Sequence, residues 1–146
     1  MRELTAVPDL RRVLEEARTI AVLGATPRVE RAGHYVPAYL QKVGYRVFPV
    51  NPSHAGETLF GERVRASLSE IDEPIDVIDV FRRPERLYLH TREILELDPK
   101  PRTVWLQLGI QHPGFAQDMI DHGIEIVQGR CMLTDHRAWG IPPVSP

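Results

Sequence analysis

Five residues in two parts of the sequence have the side chains that a phosphate-binding site needs. Thr26, Arg28 and Arg31 follow an apolar run that ends at a glycine, and Arg82 and Arg83 follow a later apolar run. A guanidinium pairs bidentately with phosphate oxygens, and unpaired backbone N–H groups at the start of a helix attract the same anions. The pattern therefore predicts a site for a ligand with several phosphates, although any single arginine is also compatible with a solvated surface position.

The loop at residues 24–29 matches a dinucleotide-binding fingerprint only in part. Gly24 takes the first glycine position of G-x-G-x-x-G, but Thr26 and Val29 stand where the second and third glycines belong. Asn51 ends the next apolar run, where an Asp or Glu normally binds the ribose hydroxyls. These departures disfavour NAD(P), which we keep as an alternative ligand.

Two other candidate positions have a simpler competing interpretation. Cys131 precedes Asp135 and His136, and a thiol near a base can become a nucleophilic thiolate. The favoured interpretation is an inert cysteine, buried as a small apolar residue. His34 stands at the start of a predicted helix, where it either donates to a phosphate or faces water.

Two aspartates lie on a predicted central strand. Asp76 and Asp79 are three residues apart, and this spacing places them on opposite faces of a strand. We therefore interpret them as structural residues that pair with backbone N–H groups, and not as an acid and base pair.

Apolar runs that alternate with segments of helical periodicity must position these residues. The predicted strands span residues 19–23, 45–50, 74–80, 103–108 and 124–128. The predicted helices span residues 8–18, 36–43, 84–97 and 113–122, with a capping box at Ser67 and Glu70 and little pattern after residue 129.

The alternation predicts an α/β fold, with residues 1–146 forming a single Rossmann-like, doubly wound domain. Right-handed crossovers then give a five-stranded parallel sheet, for which we predict the order 3-2-1-4-5. Ligands of such sheets bind outside the carboxyl ends of the strands, here near the switch point between the first and fourth strands.

Composition excludes several function classes. The 18 Lys and Arg residues and 20 Asp and Glu residues leave a net charge of −2, which gives no general attraction for nucleic acid or for an anionic membrane. The single cysteine excludes an intrachain disulfide, no zinc-site spacing is present, and no apolar run is long enough for a membrane span, so we expect a cytoplasmic protein. Only two of the 18 basic residues are Lys, which is typical of a thermophile or of a GC-rich genome.

Several segments, taken in order, resemble the CoA-binding domain family. That family includes the N-terminal domain of the succinyl-CoA synthetase α subunit and small stand-alone bacterial and archaeal proteins. The similar segments are residues 20–27, 44–52, 80–84, 104–109 and 129–131. Their order and spacing make the resemblance specific, and it covers nearly the whole chain.

The resemblance implies where coenzyme A would bind. The first loop would wrap the phosphates, the turn after the second strand would lie along the nucleotide, and the ends of the third and fourth strands would approach the adenine or the pantetheine arm. The synthetases carry a lysine a few residues into the second turn, and this chain has none there. The residues predicted to contact the ligand are Gly24, Ala25, Thr26, Pro27, Arg28, Val29, His34, Asn51, Pro52, Ser53, Phe81, Arg82, Arg83, Leu106, Gln107 and Gly109.

The resemblance also implies a function without catalysis. The synthetases of the family act through a phosphorylated histidine on a second domain, and related repressors carry a winged helix ahead of this domain; we expect neither in these 146 residues. We therefore predict binding of coenzyme A or an acyl-CoA, with no nucleic-acid or membrane partner. An NAD(P)-binding protein or dehydrogenase and an interaction subunit with a vestigial pocket are the alternatives, and a mixed disulfide between Cys131 and CoA is a further hypothesis.

Overall fold

A parallel sheet of five strands forms the centre of the fold in the computed structural model, which describes residues 2–144. In chain order the strands are β1 (Thr19–Leu23), β2 (Arg46–Val50), β3 (Thr58–Leu59), β4 (Glu62–Arg63), β5 (Val77–Val80), β6 (Thr103–Leu106) and β7 (Glu125–Val127). Strands β3 and β4 form a small antiparallel hairpin, and the other five form the sheet. Every neighbouring pair in the sheet is parallel, which confirms the predicted α/β fold class.

The predicted strand order is wrong. The sheet runs β2-β1-β5-β6-β7, so the five predicted strands lie in the order 2-1-3-4-5 and the third, not the first, is central. The other edge of β2 is occupied by a loop: the Arg65 N–H donates to the Pro49 carbonyl at 3.0 Å, and the Arg65 carbonyl accepts from the Asn51 N–H at 2.9 Å. This pairing fills the edge on which the third strand was predicted, and β5 pairs with β1 instead.

Helices cover both faces of the sheet, as the doubly wound fold requires. They are α1 (Val7–Glu16), α2 (Ala32–Lys42), α3 (Tyr88–Leu95), α4 (Pro113–Asp121) and α5 (Met132–Ala138), with short 3-10 turns at Pro52–His54, Leu68–Glu70 and Pro84–Arg86. Along β1, Ala21 and Leu23 face the core that α3 and α4 cover, while Ile20 and Val22 face the core that α1, α2 and α5 cover. Burial on both faces explains the uninterrupted apolar run of this strand.

Three local predictions differ from the structure. The segment after residue 129 contains α5, so the prediction of a tail without pattern is wrong. Ser67 does not cap a helix with its side chain: its hydroxyl lies 2.9 Å from the Ser69 hydroxyl, and the Leu68 N–H donates to Glu93 Oε1 of α3 at 2.8 Å. Helix α2 begins at Ala32, four residues before the predicted start, so Pro37 lies inside it.

No helix among residues 2–144 combines the length and the apolar character that crossing a membrane would require.

Candidate functional site

A cleft of about 700 Å³ opens at the carboxyl ends of β1, β5 and β6. Its lining residues are Gly24, Thr26, Arg28, Arg31, Ala32, Gly33, Tyr35, Val36, Phe81, Arg82, Arg83, Pro84, Gln107, Leu108, Gly109, Ile110 and Cys131. From β1 the chain passes to β2 on one side and then to β5 on the other, so the switch point lies between β1 and β5. The cleft is therefore at a switch point, as expected of a doubly wound sheet, but the fourth strand does not adjoin the first as predicted.

The charge of the cleft is one-sided. Four arginines line it, and no carboxylate does so within the described part of the chain. Arg28, Arg31 and Arg83 are exposed, whereas Arg82 is half-buried and its buried Nε meets no hydrogen-bond partner among residues 2–144. Burial, together with repulsion from Arg86, lowers the pKa of Arg82. An anion bound in the cleft would provide the missing acceptor.

The start of α2 adds uncharged donors to this surface. Its N-cap residue Arg31 makes no side-chain cap, and the N–H groups of Ala32 and Gly33 donate to no acceptor in the described structure. Such groups carry the positive end of the helix dipole and suit an anion.

Pro37 shapes the loop next to these donors. Proline has no N–H, so within α2 it leaves the carbonyl four residues earlier, that of Gly33, without its helical donor. The Thr26 N–H donates to that carbonyl at 3.3 Å, which attaches the loop after β1 to the first turn of α2. The Thr26 hydroxyl in turn accepts from the Arg28 N–H at 3.2 Å, so the loop is held by its own backbone and side chains.

Two glycines allow the loop and the helix to approach closely. Gly24 has φ +88°, and a Cβ there would lie 2.6 Å from the Phe81 carbonyl oxygen. A Cβ on Gly33 would lie 2.7 Å from the Gly24 carbonyl oxygen, although its helical position needs no glycine. The sequence analysis did not identify Gly33. This glycine allows close packing of the helix, as the third glycine of a dinucleotide fingerprint does, but it lies further along the chain from Gly24 than the fingerprint requires.

Asn51 is used internally and is not free for a ribose. It is buried, its Nδ2 donates to the Ala25 carbonyl at 2.8 Å, and its Oδ1 accepts from the Ser53 N–H at 3.0 Å. Both functional groups of the amide are therefore satisfied, and Asn51 connects the turn after β2 to the loop after β1.

A second cavity, of about 340 Å³, adjoins the cleft at Arg82. It is lined by Val50, Asn51, Pro52, Ser53, Ala66, Ser67, Arg82, Arg86, Leu89, His90 and Glu93. Glu93 accepts from the Leu68 N–H and lies 2.8 Å from His90 Nδ1, so its carboxylate is already engaged. Burial raises the pKa of Glu93, but the hydrogen bonds from His90 and Leu68 outweigh it and the net pKa is lowered.

The remaining lining of the cleft is largely apolar. Tyr35 and Val36 of α2, Phe81 after β5, and Leu108 and Ile110 after β6 contribute this surface. Leu108 is 74% exposed, so its apolar side chain is accessible to a ligand in the cleft.

Five of the predicted contact residues line neither cavity. Ala25 and Leu106 are fully buried in the core, and His34 Nδ1 lies 2.8 Å from the Thr26 carbonyl oxygen. His34 therefore braces the loop through Nδ1, and its two predicted roles, a phosphate donor or a side chain in water, stay predictions for the other ring nitrogen. Pro27 and Val29 lie in the loop itself, outside the cleft lining.

Cys131 lies in the wall of the cleft and not in the core, which corrects the expectation of a buried cysteine. Burial opposes ionisation of its thiol, but hydrogen bonds from Thr134 and from the Gln107 side chain outweigh that effect, so the pKa of Cys131 is lowered. Gln107 Oε1 also accepts from the Met132 N–H at 3.2 Å, which fixes the amide between β6 and α5.

The two aspartates have different environments. Asp76 Oδ2 accepts from the N–H groups of Arg18 and Thr19 at 2.8 and 3.1 Å, which confirms its structural interpretation. Asp79 is 0% exposed, and neither carboxylate oxygen has a partner in residues 2–144, so its predicted pairing with backbone N–H groups is wrong. Burial and the negative charge of the Cys131 thiolate raise the pKa of Asp79 well above its usual range. The Val80 N–H lies near the carboxyl and lowers this pKa, but by less.

Comparison with known proteins identifies similar chains. Residues 18–137 match the model of a family described as a CoA binding domain. The uncharacterised protein YneT of Bacillus subtilis (strain 168) is 33% identical over 128 residues, which are 88% of this chain and 92% of that protein.

Solved structures share the whole fold. A protein from Thermus thermophilus, "cell-free ID.343", superposes with a TM-score of 0.88 at 48% identity, covering 92% of this chain and 98% of that one. A hypothetical protein from Pyrococcus horikoshii OT3 superposes with a TM-score of 0.84 at 29% identity, covering 92% of each chain.

Proposed function

Because this chain belongs to the CoA binding domain family, we propose that it binds coenzyme A or an acyl-CoA in the cleft, without catalysing a reaction on it. The family supports a CoA-binding role, and the chemistry of the cleft supports this place for it.

One observation carries the proposal: the cleft places four arginines and the two free N–H groups of Ala32 and Gly33 on one surface that has no carboxylate in its described lining. Such a surface suits a ligand with several negative charges, since each charge-assisted hydrogen bond contributes about 1.5 to 3 kcal/mol. Coenzyme A has a diphosphate and a 3′-phosphate. We assign the diphosphate to the loop after β1 and the start of α2.

The adenosine end of the ligand fits the second cavity. That cavity joins the cleft at Arg82, and the turn with Pro52 and Ser53 forms one of its walls. Arg86 lines it as a further donor, so we place the 3′-phosphate near Arg82 and Arg86.

The pantetheine arm fits the apolar part of the cleft. Phe81, Leu108 and Ile110 line it at the ends of β5 and β6, and Gln107 offers an amide for the peptide-like groups of the arm. This arrangement leads the thiol end of the ligand toward the wall that contains Cys131.

The NAD(P) alternative has less support. The loop keeps Thr26 and Val29 in place of two fingerprint glycines, and both ends of the Asn51 amide are occupied. An NAD ribose would therefore lack its usual carboxylate partner at the end of β2. Nothing specific favours an interaction subunit with a vestigial pocket over a binding protein.

Titration calorimetry on the full chain tests the proposal. We expect coenzyme A to bind more tightly than dephospho-CoA, by about tenfold or more if the 3′-phosphate gains one charge-assisted bond, and NAD to bind more weakly than both. Tighter binding of NAD than of coenzyme A would reject the proposal in favour of the alternative. Equal binding of coenzyme A and dephospho-CoA would reject the placement of the 3′-phosphate.

A further inference from the structure

We propose that Cys131 is a site of thiol–disulfide exchange with the disulfide form of coenzyme A, an inference that rests on the proposed CoA binding. The cysteine would take a CoA thiol into a mixed disulfide within the same cleft that holds the phosphates.

The position of the thiol is the first observation. Cys131 and Gly24 line one continuous cleft, so the cysteine shares its cavity with the loop that we assign to the phosphates. The residue is half-buried and lies in the wall of this cleft, not enclosed in the core. A ligand with phosphates at one end and sulfur at the other could therefore present its sulfur to Cys131.

The surroundings of the sulfur favour the reactive form. The Thr134 hydroxyl and the Gln107 amide lower the pKa of the thiol, and Gln107 Oε1 is held in place by the Met132 N–H, which donates to it at 3.2 Å. The thiolate, not the thiol, attacks a disulfide, so groups that stabilise the thiolate increase the reactive population.

A second, independent feature of this place is an unpartnered acid. Asp79 lies in register with Val22 and Trp105, whose side chains belong to the core layer against which Cys131 packs. Its carboxyl is fully buried, has no hydrogen-bond partner within the described residues, and lies close enough to respond to charge on Cys131. Both oxygens of a buried carboxyl are rarely left without partners, so this position beside Cys131 calls for an explanation.

The reaction balances without a further reagent. The Cys131 thiolate attacks one sulfur of the CoA disulfide, the bond between the two CoA sulfurs breaks, and one CoA leaves as its thiolate. The protein sulfur is oxidised and the departing CoA sulfur is reduced. Because the chain has a single cysteine, no second protein thiol can resolve the adduct, which persists until an external thiol attacks it.

Intact-mass measurement tests the inference. Reduced protein, freed of reductant, is mixed with CoA disulfide or, as the matched control, with the same concentration of oxidised glutathione. We expect one CoA adduct per chain, formation at least tenfold faster than the glutathione adduct, slowing by excess desulfo-CoA, and no adduct in Cys131→Ser. Equal rates for the two disulfides, or no protection by desulfo-CoA, would overturn the inference.

Calorimetry of CoA on the reduced wild-type protein separates this outcome from failure of the proposed function. Binding of CoA without a selective adduct rejects the exchange site and leaves the proposed function intact. Absence of CoA binding rejects both.

Thr134 serves as the positioning residue in a second experiment. It is exposed, so replacement should not disturb the core. We expect Thr134→Val to slow adduct formation several-fold at neutral pH, with Thr134→Ser restoring it, because threonine and serine carry the hydroxyl that lowers the pKa of the thiol and valine does not. An equal rate in all three proteins would remove Thr134 from the proposed site.

Discussion

The backbone N–H of Thr26 donates to the carbonyl oxygen of Gly33 at 3.3 Å and joins the loop after β1 to the first turn of α2. The bond exists because Pro37, one turn further along the helix, has no N–H to claim that carbonyl. As a result the loop is attached to the helix while the N–H groups of Ala32 and Gly33 remain available to an anion.

The contact between the loop and the helix predicts that Gly33→Ala lowers both the stability of the protein and its affinity for CoA. Alanine is better than glycine in a helix by about 1 kcal/mol, yet the new Cβ would lie 2.7 Å from the Gly24 carbonyl oxygen. We expect a net loss of about 1 to 3 kcal/mol in urea unfolding and weaker CoA binding in calorimetry, since the loop must move.

Gly114→Ala is the matched control for that substitution. Gly114 is also the second residue of its helix, and its new Cβ would meet only the His112 side chain, at 3.3 Å. The control should be close to neutral in stability and in CoA affinity. Equal losses of stability and of CoA affinity in the two variants would show that the close approach of Gly33 to Gly24 is not important for either.

The arginines of the cleft should differ in their contribution to CoA affinity. Arg82 is half-buried with an unpartnered Nε, whereas Arg28 is exposed and its Nε lies 3.2 Å from Glu30 Oε1. We expect Arg82→Gln to weaken CoA binding about tenfold or more in calorimetry, and Arg28→Gln to weaken it less, because Arg28 already has a competing partner. Arg92→Gln, on the exposed face of α3, is the control and should bind CoA as the wild type does. A larger effect at Arg28 than at Arg82 would mean that the unpartnered Nε of Arg82 gives this residue no special part in binding.

Asn51→Asp should lower stability without creating an NAD site. The variant keeps the size of the side chain but faces the Ala25 carbonyl with a second acceptor in place of the present donor at 2.8 Å. A buried carbonyl without its partner costs about 1 to 3 kcal/mol, which urea unfolding would measure. Calorimetry with NAD should show no gain in affinity, since the side chain points into the loop. A variant that binds NAD more tightly at unchanged stability would restore the ribose-binding interpretation.

Asp79 should make the protein less stable as the pH rises. Burial raises its folded-state pKa well above the ordinary 3.8, so between the unfolded and the folded pKa the folded state holds one more proton. The free energy of unfolding then falls with increasing pH by about 1.4 kcal/mol per pH unit across that window. Asp79→Asn carries no charge at any pH, so in urea unfolding its free energy of unfolding should rise relative to that of the wild type as the pH increases above the ordinary 3.8. A constant difference between the two proteins over this range would mean that Asp79 ionises alike in both states.

The strands could be predicted from the sequence because their signal is local. In β1, Ile20 and Val22 pack on one face and Ala21 and Leu23 on the other. A strand that is buried on both faces therefore appears in the sequence as consecutive apolar residues. Gly24 after this strand and the arginines near it likewise marked one end of the sheet as the place for a phosphate. These features need no knowledge of which strand lies beside which.

The order of the strands depends on contacts between distant segments, and periodicity does not encode them. Arg65 pairs with the edge of β2 and thereby directs β5 to the other side of β1. A loop segment without a strand pattern thus occupies the edge of β2 on which the third strand was predicted.

The sequence by itself determined which elements form, which end of the sheet collects the arginines, and which family the chain resembles, because all three depend on residue types in local order. Tertiary structure alone decided the use of individual polar groups. Asn51 and His34 looked free for a ligand, but the loop after β1 occupies both, while Cys131 looked buried and lies in the cleft wall. A polar side chain binds whichever partner the packed chain brings within about 3 Å, and that partner is known only when distant segments are in place.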